Sequence, residues 1–171
     1  MGNKRLLFCV ETTKGANTDY AYITETIRHY FVESSKIVIR PVYMESKTRY
    51  KSRAVLADIQ RQSGSADTSV IYCIDTDDYD TSAETKKLLD EIQKYCNEKG
   101  NDLVFFCKDI EDVYCGQQVS DTQKRQYAAR FRSSQAIRNV ETRRLEKKEY
   151  QRHCSNILNV LGKYYKRKSP D

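Results

Sequence analysis

The sequence predicts an α/β domain: a four-stranded, mainly parallel sheet in the strand order 2-1-3-4, with further helices following the sheet. Three observations predict it. Four short apolar runs, each bounded by polar residues, alternate with stretches of helical periodicity. Strands joined through helices run parallel, because a right-handed crossover returns the chain to the same sheet. With 2 prolines and 6 glycines in 171 residues, the chain is also poor in the turn residues that sandwiches, collagen-like chains and disordered chains need.

Each element has its own signal. Leu6-Leu7-Phe8-Cys9-Val10 reads as a strand buried on both faces, and it ends in Glu11-Thr12-Thr13-Lys14-Gly15. Behind a capping Thr18, the residues Tyr22, Ile23, Ile27, Tyr30 and Phe31 repeat at helical spacing, which predicts a helix over 19–32. Residues 36–43 form the second strand; Pro41 donates no ladder hydrogen bond, which assigns that strand to an edge. A helix over 52–62 is closed by Ser63-Gly64-Ser65. Residues 69–74 are a third buried strand running directly into Asp75-Thr76-Asp77-Asp78-Tyr79-Asp80. Thr81 or Ser82 caps a long helix with Leu88, Leu89, Ile92 and Tyr95 on one face and Lys99-Gly100 as its stop. Residues 102–107 are the fourth strand. Beyond them a short helix is expected over 110–116, a basic amphipathic helix over 120–132, a docking helix over 155–165 and a frayed basic tail over 166–171. The chain thus divides into an α/β core, 1–116, and a basic helical extension, 117–171, packed on the same domain.

Composition limits the classes of function. A chain of 171 residues can bury one core without disulfides or metals. The six cysteines form no C-x-x-C pair and three lie in apolar runs, so reduced, buried thiols are expected. No apolar run approaches a membrane span, and Met1-Gly2-Asn3-Lys4-Arg5 does not open a signal peptide, so the protein is expected to be cytoplasmic with no membrane partner. Thirteen tyrosines and no tryptophan suit amphipathic helices and base stacking alike. The charge of +6 is unevenly spread: residues 121–171 carry 14 Lys/Arg against 5 Asp/Glu, a charge of +9, which leaves −3 for residues 1–120. A basic end on an acidic body suits a phosphate polyanion; the alternative is a solvated helical face.

In an open parallel sheet, ligands bind outside the carboxyl ends of the strands, where strand order reverses. Glu11 follows the first strand, and Asp75 and Asp77 follow the third, so an order of 2-1-3-4 brings the three carboxylates to one edge. Such clustered acids repel one another unless a cation neutralises them, and their hard oxygens suit Mg²⁺ or Mn²⁺. The alternative is an ordinary polar loop in which Asp78 or Asp80 caps the next helix. Lys14 and Gly15, in the loop that starts the first helix, could meet a phosphate there. Glu111 and Asp112 could extend the acidic site or form a surface helical turn. His29 and His153, the latter beside Cys154, offer only a weak nucleophilic pairing, and there is no Walker loop, G-x-G-x-x-G or G-x-S-x-G.

A strand ending in Glu and a later strand ending in D-x-D, inside a small Rossmann-like domain, resemble the Toprim domain of topoisomerases, primases and OLD-type nucleases. Phe8-Cys9-Val10-Glu11-Thr12-Thr13-Lys14-Gly15-Ala16-Asn17-Thr18-Asp19-Tyr20 is similar to the opening of its RloB-like branch. So are Ile71-Tyr72-Cys73-Ile74-Asp75-Thr76-Asp77-Asp78 and the closing Ser155-Asn156-Ile157-Leu158-Asn159-Val160-Leu161. Two positions depart from that pattern: Thr12 stands where glycine is usual, and Cys107-Lys108-Asp109-Ile110-Glu111 lacks a proline before the glutamate. The resemblance implies a Toprim-like fold and a Mg²⁺-dependent (or Mn²⁺-dependent) nuclease acting on DNA or RNA, in phage defence or restriction-associated loci. Asp75 and Asp77 would hold the metal, with Glu11 as a further ligand or general acid/base. Lys14, Lys124, Arg125, Arg130 and Arg132 would contact the nucleic-acid backbone. One alternative is a non-catalytic module that binds nucleic acid or a partner protein. A phosphohydrolase on another doubly wound fold would want an aspartate where Glu11 stands.

Overall fold

In the computed structural model, which describes residues 3–169, four strands and six α-helices, with short 3-10 turns between some of them, follow one another. They are β1 (Lys4–Val10), α1 (Thr18–Tyr30), β2 (Ile37–Tyr43), α2 (Arg53–Ser63), β3 (Thr68–Asp75), α3 (Ala83–Lys99), β4 (Asp102–Phe106), α4 (Ile110–Cys115), α5 (Lys124–Ser133) and α6 (Ile157–Leu161). The four strands form one all-parallel sheet in the order β2-β1-β3-β4, as expected. Pro41 lies on the edge strand β2 opposite Phe8, where its missing N–H leaves no gap in an inner ladder.

Successive side chains of a strand point to opposite faces, and β1 uses both. Leu6, Phe8 and Val10 pack with Ile23 and Ile27 of α1, Val113 of α4, Phe131 of α5 and Leu158 of α6. Leu7 and Cys9 pack with Val55 of α2 and Leu89 and Ile92 of α3. Residues 6–10 are fully buried as a result, which is why they read as an unbroken apolar run. The basic extension thus supplies part of the first core through Phe131, Ile137, Leu145 and Leu158.

Helix ends follow local chemistry. The Ser52 and Ser82 side chains accept hydrogen bonds from Val55 N and Thr85 N, capping α2 and α3. Gly100, at φ 67°, closes α3. Thr18 departs from expectation: it is the first helical residue of α1, and the capping position belongs to Asn17, which is left-handed and makes no side-chain cap.

The larger corrections lie near the C-terminus. The expected docking helix over 155–165 shortens to Ile157–Leu161 because the preceding residues close the β4 edge instead. Ser155 bridges Phe106, Cys107 N donates to Cys154 O, and the Asn156 side chain accepts from Phe105 N and donates to Leu103 O. Covering an open edge in this way protects it from pairing with another chain. The tail is not frayed through Lys168: Arg167 bridges Phe31, Val32 N donates to Lys166 O, and Lys168 N donates to Tyr30 O. Its last two residues, 170 and 171, and the opening Met1-Gly2 lie outside the described residues. All six cysteines are free; five are buried and Cys115 is partly exposed. Among the described residues no helix is long and apolar enough to cross a membrane.

Candidate active site at the carboxyl edge of the sheet

Parallel strands end on the same side, and here the loops after β1, β2 and β3 meet over a cleft of about 920 Å³. Glu11, Asp75 and Asp77 all line it. Because β1 and β3 are direct neighbours, Glu11 Oε1 accepts a hydrogen bond from Asp75 N at 2.8 Å. Its Oε2 accepts from Lys47 N at 3.2 Å. Lys47 comes from a short 3-10 turn, Lys47–Arg49, after β2, the other neighbour of β1. Its ammonium pairs with the Asp77 carboxylate and lies 3.9 Å from Glu11 Oε2, and the residue is only 7% exposed.

The loop after β3 separates into two uses. Asp77 takes a left-handed backbone, φ 48°, which aspartate tolerates better than most residues. Its N–H donates to Lys108 O at 2.8 Å, and Thr76 N donates to Phe106 O at 2.9 Å, so the turn hangs on the end of β4. Asp78 and Asp80 lie outside the cleft lining, but neither caps α3 as the polar-loop alternative expected, because Ser82 does. Asp78 accepts from Thr85 Oγ1 at 2.7 Å at the start of α3, and Asp80 pairs with Lys108 at 3.3 Å.

Three further carboxylates crowd this edge. Asp19, in the first turn of α1, is buried; burial, reinforced by Glu111 and Glu11, pushes its carboxyl up to about 7. Burial, followed by the charges of Glu11, Asp19 and Glu111, raises Asp75 well above the carboxylate range. Burial also raises Glu11, with Lys47 and the Asp75 N–H pulling the other way. Glu111 is fully buried and raised for the same reason, opposed by Lys124, whose ammonium is 3.6 Å away. Burial raises Asp109 as well. For Lys47 and Lys124, burial works against the charge, but the surrounding carboxylates outweigh it and push both upward.

The edge therefore holds more buried acid than its two lysines neutralise. Among the described residues no three His, Cys, Asp or Glu side chains are arranged as a metal-ligand group, and the Lys47 ammonium stands between Glu11 and Asp77. In donor chemistry and charge, the all-oxygen set around Glu11 and Asp75 fits Mg²⁺ or Mn²⁺. Thr12 lines the cleft with a buried hydroxyl that has no hydrogen-bond partner, and its backbone is not left-handed, so the turn does not require glycine there.

The basic residues divide. Lys124 and Arg125, at the start of α5, line the cleft, and Arg125 Nη2 donates to Gly15 O at 2.8 Å. Lys14 is exposed and outside the lining. Arg130 lines a different pocket. Arg132 ties α5 to α1 through Glu25 at 3.1 Å and Thr24 Oγ1 at 3.3 Å. His153 Nδ1 sits 3.0 Å from the buried Asp112 carboxylate, and the rings of His29 and Tyr30 pack edge to face. Sequence reasoning missed Lys47 and Asp19. For Lys47 the available signal was its place just beyond a strand bordering β1; for Asp19 it was the first turn of a helix starting at the same edge. No protein-family model matches the chain, and no curated protein or solved structure is significantly similar to it.

Proposed function

We propose that the protein is a Mg²⁺-dependent phosphodiester-cleaving nuclease of the Toprim type, acting on DNA or RNA. The observation that carries this reading is the meeting of Glu11 and Asp75 across neighbouring strands, with Asp77 in the same cleft. A bound ion would supply charge stabilisation and an activated water. Asp75 and Asp77 would hold it, and Glu11, oriented by two backbone N–H groups, would be a further ligand or the acid/base. Lys124 and Arg125 stand where they can meet the phosphate backbone.

The test is cleavage of single- and double-stranded DNA and RNA with Mg²⁺ or Mn²⁺. Asp75→Ala should lower the rate about a thousandfold or more, the equivalent of several kcal/mol, with the circular dichroism of the fold unchanged. Asp77→Asn should act similarly, and Glu11→Gln should remove activity with a smaller loss of metal affinity if Glu11 moves the proton. One observation favours a second reading, a non-catalytic nucleic-acid module: through Lys47, the acids already carry a counter-ion of their own. Absence of cleavage by wild type selects that reading, and equal cleavage by Asp75→Ala overturns the assignment of cleavage to this site.

A further inference from the structure

A second pocket, of about 420 Å³, opens beside α5 and the segment that follows it. Tyr127, Arg130 and Arg144 line it with the amides of Gln117 and Asn139, and no acidic residue takes part. The neighbouring Arg132 and Arg143 are paired with Glu25 and Glu141. Arg130 and Arg144 have no carboxylate within salt-bridge distance among the described residues. Tyr114 and Phe131 meet edge to face, and Tyr22 stacks on Tyr114 and packs tilted against Phe131, which makes a firm wall. Tyr127 is half-buried, accepts from Gln117 Nε2 at 3.0 Å, and packs on no other aromatic ring among the described residues.

We propose that this pocket takes one nucleotide of a single-stranded nucleic acid, its base on Tyr127 and its phosphates on Arg130 and Arg144. An aromatic ring that lines one pocket with guanidiniums free of salt bridges is the chemistry that holds an unstacked base and its backbone. The amides of Gln117 and Asn139 offer donors and acceptors to a base edge. A duplex keeps its bases stacked inside and fills the pocket only at the cost of flipping one out. The same helix, α5, lines both this pocket and the acidic cleft. Lys124 and Arg125 line the acidic cleft and Arg130 the second pocket, about 9 Å apart along α5 at ~1.5 Å per residue. One strand would thus meet the acidic cleft and the second pocket along the same helix. This link between the two sites rests on the nuclease reading; the single-strand preference does not.

The experiment is fluorescence anisotropy with short labelled single-stranded DNA, single-stranded RNA and the matching duplex, in EDTA so that nothing is cut. Tyr127→Leu and Arg144→Gln should each weaken single-strand binding about tenfold, with duplex affinity changed less than about twofold; Arg130→Gln, on an exposed residue, guards against misfolding as the cause. The DNA and RNA arms show which strand is preferred. The proposal is overturned if wild type binds no single strand, if the variants bind as wild type does, or if duplex binding falls equally. Polyglutamate binding as tightly as the oligonucleotide overturns it too, since that reads charge alone. Weakened single-strand binding by Tyr127→Leu with no cleavage by wild type keeps this pocket and removes the nuclease. Cleavage with unchanged affinity in Tyr127→Leu does the reverse.

Discussion

Lys47 gives the acidic cleft a cation of its own, held by Glu11 and Asp77. Removing it as Lys47→Met leaves buried carboxylates uncompensated and should cost about 2 kcal/mol at pH 8. The loss should be smaller at pH 5, where the acids can take up protons, and Mg²⁺ should restore more of it than it adds to wild type; thermal melts at the two pH values check this. The acids set a pH dependence of their own. Asp19, Asp75, Glu11, Glu111 and Asp109 are all raised in the folded state. Folding therefore binds protons that the unfolded chain has already released, and stability falls as pH rises. For Asp19 the fall begins near its unfolded value, about 4, and ends near its folded one, about 7. Asp75→Asn should remove part of this slope and raise Tm at pH 8 by about 2–4 °C, the shift that ~1 kcal/mol gives a chain of this size. An unchanged slope would contradict a raised Asp75 carboxyl. The place of Glu11, Asp75 and Asp77 at one edge was legible in the sequence because a residue at or just past the end of a strand has a fixed place in a parallel sheet. Lys47 and Asp19 were not, because their burial depends on how two loops fold over that edge.

Helices and strands were legible wherever one local signal decided them. Ser82 illustrates this: its side chain accepts from Thr85 N at 3.2 Å and starts α3. Ser82→Ala should cost about 1 kcal/mol, lower Tm by about 2–4 °C and leave nucleic-acid affinity unchanged, as melting and binding curves on one preparation can show. Elements were misread where tertiary pairing overrode local pattern. Asn156 has helix-like neighbours, yet its side chain serves two backbone groups of β4, which holds residues 155 and 156 out of α6. In the tail, Arg167 lies over the rings of Tyr30 and Phe31 and bridges Phe31. Neither partner is near it in sequence, so a run of basic residues read as solvated chain.

For the whole molecule, the parallel sheet is what gathers charge. Three loops end at one edge, which concentrates acid there, and α5 brings Lys124 and Arg125 to its rim from the basic extension. The charge of +9 over residues 121–171 thus has two destinations. Part closes the fold, as with Arg132 on Glu25 and Arg167 on Glu146. Part lines the two pockets, as with Arg125, Arg130 and Arg144. The most direct test of the central claim is anomalous diffraction from crystals soaked in Mn²⁺. The account predicts a peak in the cleft bonded to carboxylate oxygens of Asp75 and Asp77, with the Lys47 ammonium moved off Asp77. A cleft without a peak, with Lys47 still spanning Glu11 and Asp77, would contradict it.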